Sequence, residues 1–321
     1  MNKPTNVPKS ADPTSFLMRY KLWIATLLGF WGLLATNSNA QSPQWWADNV
    51  NWDGKSPYQT YIRLSSAGMG PNALPVPSLH SPLRDTSSWF SGSLAAFHHQ
   101  EEYTISSFLG LSWRPADWLR LNINVIPLEY FQTSHQLKEE RKVFWEGYDN
   151  HIAGGDFYVE SLIRIPPRWL AGLKTELRIG LKTASGTHLG AARFTDTPGY
   201  YVDLSSIWLL SRHHALEIML GFLAYQTYEI RSRQNDCVLW GIGHSFSLKS
   251  WQLYHSLRGY NGYIRNGDAP VVYEAEISRY AYKRWEWFLK AGLGLQDYPF
   301  QFTGIGTRWH FHLPVHSSDF Q

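Results

Sequence analysis

From Leu173 to Ala184 the chain reads Leu-Lys-Thr-Glu-Leu-Arg-Ile-Gly-Leu-Lys-Thr-Ala, and the same two-residue beat returns down to Leu313. Successive side chains of a strand point to opposite faces of its sheet. Leu173, Thr175, Leu177, Ile179 and Leu181 therefore share one side, and Lys174, Glu176, Arg178 and Lys182 share the other. A soluble sandwich strand can carry the same pattern, so number, length and punctuation decide. Twelve such segments follow residue 86, over 88–99, 103–114, 118–134, 155–165, 173–184, 199–211, 215–229, 237–249, 251–263, 271–283, 285–297 and 302–313. An apolar face for lipid and a charged face for a lumen, repeated this often, predict a transmembrane antiparallel β-barrel of about twelve strands.

The joints support this and orient it. Those at 114–117, 166–172, 211–214, 249–250 and 283–284 are mostly tight, whereas 135–154, 185–198, 230–236 and 264–270 are longer. Barrels with both termini in the periplasm place short turns there and longer loops outside. The joints at 100–102 and 298–301 are outer ones that break this rule. Aromatics make up 16% of the chain and fall into two groups. Trp89, Trp113, Trp118, Trp169, Trp208, Trp251, Trp285, Trp287 and Trp309 lie near the expected periplasmic ends. Tyr130, Tyr158, Tyr200, Tyr228, Tyr263, Tyr273 and Tyr298 lie near the outer ends. Interfacial belts of indole and phenol have this arrangement.

Residues 1–40 read as a cleaved signal peptide: a basic head at Met18 to Lys21, an apolar core from Leu22 to Ala35, and small residues at Ser38 and Ala40. The hydrophilic stretch before Met18 leaves either Met1 or Met18 as the start. Lys3, Lys9, Arg19, Lys21 and Asp12 leave with this segment. The basic count then falls from 29 to 25 and the acidic count from 26 to 25, so the mature chain is formally neutral. Nothing in that balance calls for nucleic acid. The single cysteine, Cys237, excludes an intrachain disulfide. Residues 41–86 form an opening segment, periplasmic or inserted in the lumen, with a Pro- and Gly-rich stretch from Gly68 to Pro77. Residues 87–313 form the barrel, and 314–321 a tail with Phe320 penultimate.

Three stretches give the chain a family likeness: Gly70-Pro71-Asn72-Ala73-Leu74-Pro75-Val76-Pro77, Lys182 to Gly186, and Ala192 to Tyr201. Over its mature length the chain resembles outer-membrane β-barrel proteins of the Bacteroidota that have no assigned activity. The resemblance implies architecture and an outer-membrane location, and it brings no catalytic residue.

Function then has to come from sites. Alternation sends Arg120, Glu160, Arg164, Lys174, Glu176, Arg178, Lys182, Asp203, Glu217, Arg258, Glu274, Glu276, Glu286, Lys290 and Arg308 inward. Such a row makes either a polar conduit or a network of paired charges that fills a closed barrel. Gly292, Gly294, Gly304 and Gly306, like Gly241 and Gly243, also face inward. They either relieve strain in curved strands or offer a bare wall to another segment. The expectation is that part of Gly68 to Pro77 packs against the first four, inside or across the periplasmic mouth. In the 185–198 loop, Arg193 and Asp196 make either an outer recognition surface or a local pair. His310 and His312 share a face with Arg308, but no third metal ligand is evident. A barrel hydrolase would align a histidine and a serine on one face. Here His244 directly precedes Ser245 and His255 precedes Ser256, which sends each pair to opposite faces.

The leading expectation is a porin-like channel for small solutes in the outer membrane. A plugged, non-conducting barrel for envelope assembly or surface polysaccharide or ligand binding comes second, and an outer-membrane hydrolase third. No cofactor and no metal are assigned. Expected partners are outer-membrane lipid, the barrel-assembly machinery and a small solute of unspecified identity.

Overall fold

Every alternating segment becomes a strand, because inside hydrocarbon a backbone has only another backbone to hydrogen-bond to. The computed structural model describes residues 47–48, 51–56, 58–80, 87–141, 149–166, 173–227, 232–282 and 284–311. The leader expected over 1–40, the tail 314–321, and Trp169, Tyr228 and His312 lie outside the described residues. The strands are β1 (Ser88–His99), β2 (Glu102–Ala116), β3 (Leu119–Val125), β4 (Glu129–Thr133), β5 (Asn150–Ala153), β6 (Phe157–Ile165), β7 (Lys174–Lys182), β8 (Gly199–Leu209), β9 (His214–Gln226), β10 (Gln234–Leu248), β11 (Trp251–Asn261), β12 (Val271–Tyr282), β13 (Trp285–Gln296) and β14 (Gln301–Phe311). A short helix α1 (His135–Arg141) sits between β4 and β5. Neighbours pair antiparallel, and β1 pairs with both β2 and β14, so the sheet closes on itself. β3 with β4, and β5 with β6, are two interrupted strands, and the fourteen segments make a twelve-stranded barrel.

The interruptions have a local cause. Pro127 has no amide to give to the ladder. Beside it, Ser107 and Phe108 of β2 oppose the three residues Ile126, Pro127 and Leu128. Ser107 repairs the gap: its amide donates to the Leu128 carbonyl at 2.9 Å, and its Oγ accepts from the Leu128 amide at 3.2 Å. The Gly155 amide donates to the Ile126 carbonyl at 2.9 Å, so close that a Cβ on Gly155 would lie 2.6 Å from the Ile126 Cβ. The extra residue also flips the alternation. Arg120 is buried in β3 while Ile123 is exposed, but beyond the bulge Glu129 and Phe131 are buried and Tyr130 is exposed.

The outward face is apolar along every strand; Leu220, Leu289 and Ile305 are each more than half exposed. At the end with the tight turns, Trp113, Trp118, Trp208, Trp251, Trp285, Trp287 and Trp309 all point out. At the other end Tyr130, Tyr200, Tyr263 and Tyr273 do the same. Three members of the expected belts turn inward instead. Tyr158 and Tyr298 bond to the opening segment, and Trp89 lines a cavity in the lumen. Among the described residues no helix is long and apolar enough to cross a membrane.

Leu289 faces outward near the middle of β13, opposite Ile277 and Ile305. Leu289→Arg is expected to destabilise the assembled barrel by about 2–4 kcal/mol, the cost of a midplane arginine. Lys290→Ala, one residue on and inward, is expected to be tolerated. Urea titration of the heat-modifiable band checks this, and equal sensitivity of the two variants would overturn the facing of β13.

Candidate functional site

The register of the barrel sets opposite charges face to face inside it. Arg178 lies across from Asp203, Arg164 from Glu176, Glu276 from Lys290, and Glu286 from Arg308. Directly opposed unlike charges are the favourable cross-strand pairing. The contacts follow: Arg178 to Asp203 at 2.7 Å and to Glu160 at 3.2 Å, and Arg120 and Arg164 to Glu176 at 2.9 and 3.4 Å. Arg258 meets Glu274 at 3.1 Å, and Arg308 meets Glu276 at 3.1 Å and Glu286 at 2.7 Å. Lys182 meets Asp156 at 2.6 Å, and Lys290 sits 5.2 Å over the Phe108 ring. Glu217 is buried as well. Lys174, at the start of β7, is exposed and belongs to the rim. Pairing is obligatory here, because an isolated charge in so dry a place is far costlier than a bonded one. His310 joins the same network through Glu286 at 2.9 Å.

The opening segment occupies the middle of this lumen. Its prolines deny it a ladder, so its carbonyls need donors from elsewhere. The segment's bonds to the wall follow in order along the chain, the first two given by the segment and the later ones received at its carbonyls. Near the long loops, Arg63 Nε donates to the Asn266 carbonyl at 2.5 Å, and the Ala67 amide to the Gly267 carbonyl at 3.2 Å. Further in, Tyr298 and Tyr158 hydroxyls donate to the Pro71 and Asn72 carbonyls at 3.2 and 3.3 Å. The Tyr260 hydroxyl donates to Leu74 O at 3.4 Å, and Arg178 Nη1 to Ser78 O at 2.9 Å. His80 then lies 3.9 Å from Glu176 and 4.0 Å from Asp203, and Ser87 reaches His310 at the tight-turn end. The segment enters at the loop end and leaves at the turn end. With the tight turns in the periplasm, the Arg63 end of the segment lies toward the outer mouth, and residues 51–56 before it are mostly exposed.

This corrects the expected docking place. Gly68 to Pro77 sits in the outer half of the lumen, not at the periplasmic mouth. Gly292, Gly294, Gly304 and Gly306 are covered by Phe302, Tyr298, Lys290 and Phe288 of the barrel itself. Leu79 of the segment instead packs on Gly241, where an added Cβ would lie 2.3 Å from Leu79 Cδ1.

Arg193 is the second correction. It makes no outer surface: the loop folds inward and buries Arg193 completely. Left-handed backbone at His188 and Ala192 (φ 61° and 55°) turns the loop down. Its guanidinium pairs with Glu102 and with Glu129 (2.6 Å), donates to Thr104 Oγ1 at 3.0 Å, and lies 4.8 Å over the Phe131 ring. It also roofs the opening segment, since a Cβ on Gly70 would sit 2.6 Å from its Cζ. The Gly70 amide donates to Ala192 O at 2.6 Å, and Asn72 Nδ2 to Glu129 at 2.5 Å. Loop, wall and segment thus share one clamp. Arg141 of α1 completes it by pairing with Glu102 at 2.8 Å. At the exposed edge of that helix, a hydrogen bond from Lys138 holds the Asp149 carboxyl below its ordinary range. Asp196 is exposed.

Beside the segment lie two cavities, of about 370 and about 200 Å³, that share Ser78, Asn124 and Glu160 in their walls. His80, Glu102 and Glu129 are the functional positions that alternation alone did not find. On the outside, His214, His244 and His255 form a hydrogen-bonded row (3.0 and 3.1 Å), whereas Ser245 and Ser256 are buried within. No histidine–serine pair shares a face there.

No family model matches the chain, and no curated protein matches its sequence. Solved structures do. An outer membrane channel of the COG4313 type from Pseudomonas putida F1 superposes with a TM-score of 0.52 at 10% identity, over 75% of this chain and 97% of that one. The NanC porin gives 0.45 at 11% identity, over 69% of this chain and 100% of that one. The KdgM porin gives 0.43 at 13%, over 69% and 99%. The first shares the fold. With its closed twelve-stranded ring and apolar outer face, the chain is a β-barrel of the bacterial outer membrane.

Two outcomes follow from this geometry. Arg193→Ala leaves Glu102 and Glu129 facing each other without their shared cation, and is expected to cost about 3–5 kcal/mol, as other broken buried pairs do. Loss of heat-modifiability at lower urea checks it, and an unchanged midpoint would count against the clamp. In a Cys237→Ser background, Lys55→Cys is expected to react with an impermeant maleimide on intact cells. Labelling only after permeabilisation would reverse the path of the segment.

Proposed function

We propose that this barrel is a porin-like channel for small polar solutes, held narrow at rest by its own opening segment. The observation that carries the reading is the pair of neighbouring cavities alongside residues 74–80, the larger mostly polar and the smaller mostly apolar, which share Ser78, Asn124 and Glu160 in their walls. A barrel filled only for rigidity packs its interior to the density of a core and leaves no cavities of this size. The segment is held by hydrogen bonds to its carbonyls rather than by a ladder, so it can shift without unmaking the wall. A second reading, a permanently closed barrel serving the envelope, is favoured by one feature, the Arg193 clamp on Gly70 and Asn72. In either case the chain reaches the membrane through the barrel-assembly machinery.

Planar-bilayer conductance separates the two. The full mature chain is expected to conduct weakly, and deletion of residues 44–80 to raise single-channel conductance severalfold. Unchanged conductance in a deletion variant that still runs as a heat-modifiable barrel would defeat the channel reading.

A further inference from the structure

The larger lumen cavity contains an unsatisfied group. His80 is 8% exposed, and neither ring nitrogen has a hydrogen-bond partner among the described residues. Glu176 Oε2 at 3.9 Å and Asp203 Oδ1 at 4.0 Å are beyond hydrogen-bond reach. Native structures rarely leave a buried imidazole in that condition without a guest, whether water or ligand. His80 lines the cavity, and a hydroxyl there can accept from its N–H or donate to its bare ring nitrogen. A carboxylate can only accept and an ammonium can only donate, whereas a hydroxyl does both.

The rest of the wall repeats that preference. Its carboxylates are Glu160, Glu274, Glu276 and Glu286, and its cations are Arg178, Arg258, Lys290 and Arg308. The lining is formally neutral. Three of the four cations are already tied to those carboxylates, and the fourth lies over Phe108. A charged guest would give up its hydration for no net field. A neutral guest with many hydroxyls meets donor and acceptor side by side, together with the amides of Asn122, Asn124 and Gln252 and the rings of Trp89 and Tyr254. The volume, about 370 Å³, is at the lower end of the small-molecule range of roughly 300–1,000 Å³.

We infer that this cavity is a binding site for a neutral, polyhydroxylated solute of mono- or disaccharide size, with His80 as its internal hydrogen-bonding group. The inference rests on the channel reading for its purpose, but not for its test. Isothermal titration calorimetry of the full mature protein in detergent, with maltose, sodium glucuronate and glucosamine hydrochloride as probes, reads it directly. Maltose is expected to bind at least tenfold more tightly than either charged probe, and His80→Phe to weaken maltose at least tenfold. If His80→Phe does not fold, Gln252→Ala replaces it, with an expected weakening of threefold or more. Equal or tighter binding of a charged probe overturns the inference. So does the absence of maltose binding to a heat-modifiable barrel, or an unchanged affinity in the folding variant. Conduction by the 44–80 deletion without sugar binding to the full chain would defeat this site and leave the channel standing. Sugar binding without conduction would do the reverse.

Discussion

A backbone amide in hydrocarbon must find another backbone, and in this chain that requirement is met only because β1 pairs on both of its edges. Everything else follows from closure. A closed ring has one inside, so alternation sends the charged residues into a space bounded by low-dielectric walls. There a cation gains from an anion within reach, and the antiparallel register provides several such pairs, as with Arg178 across from Asp203 and Glu286 across from Arg308. The charge network is thus a consequence of the ring as much as a device built into it.

The opening segment solves a second problem set by the same ring. It has no strand partner of its own, yet its Pro71, Asn72, Leu74 and Ser78 carbonyls all accept hydrogen bonds from the wall, three of them from tyrosine hydroxyls. An aromatic with a polar tip serves well here: the ring fills space against the wall and the hydroxyl reaches the centre. The arrangement gives the segment fixed positions without the stiffness of a hydrogen-bonded sheet. That is the property a movable constriction needs.

The strands were legible in the sequence because their signal is local. β1 was expected over 88–99 and runs Ser88–His99; β13 and β14 were expected within two residues of their observed ends. The lumen charges on uninterrupted strands were legible for the same reason, since parity fixes the face. Parity fails where a residue is added. Glu129 shares a strand with Arg120, but nine positions apart it would face lipid, and only the bulge at Pro127 turns it inward. Glu102 lay in a joint, and Arg193 in a loop, where period carries no information. Tyr158 and Tyr298 have the right place for an interfacial belt and the wrong rotation for one. His80 had no signal at all: its neighbours are set by the path of the segment, a property of the whole ring.

That path has a kinetic meaning. Arg63 meets Asn266 across a separation of 203 residues, and Tyr298 meets Pro71 across 227. Contacts so remote in sequence form late, after the long loops between them have lost their freedom. The β1–β14 seam joins the first strand to the last, so no ring exists until synthesis of the final strand is complete. A segment that precedes the barrel in the chain is therefore enclosed by strands made after it. The ring is complete only when that seam pairs, and the strand that opens it follows the enclosed thread in the chain.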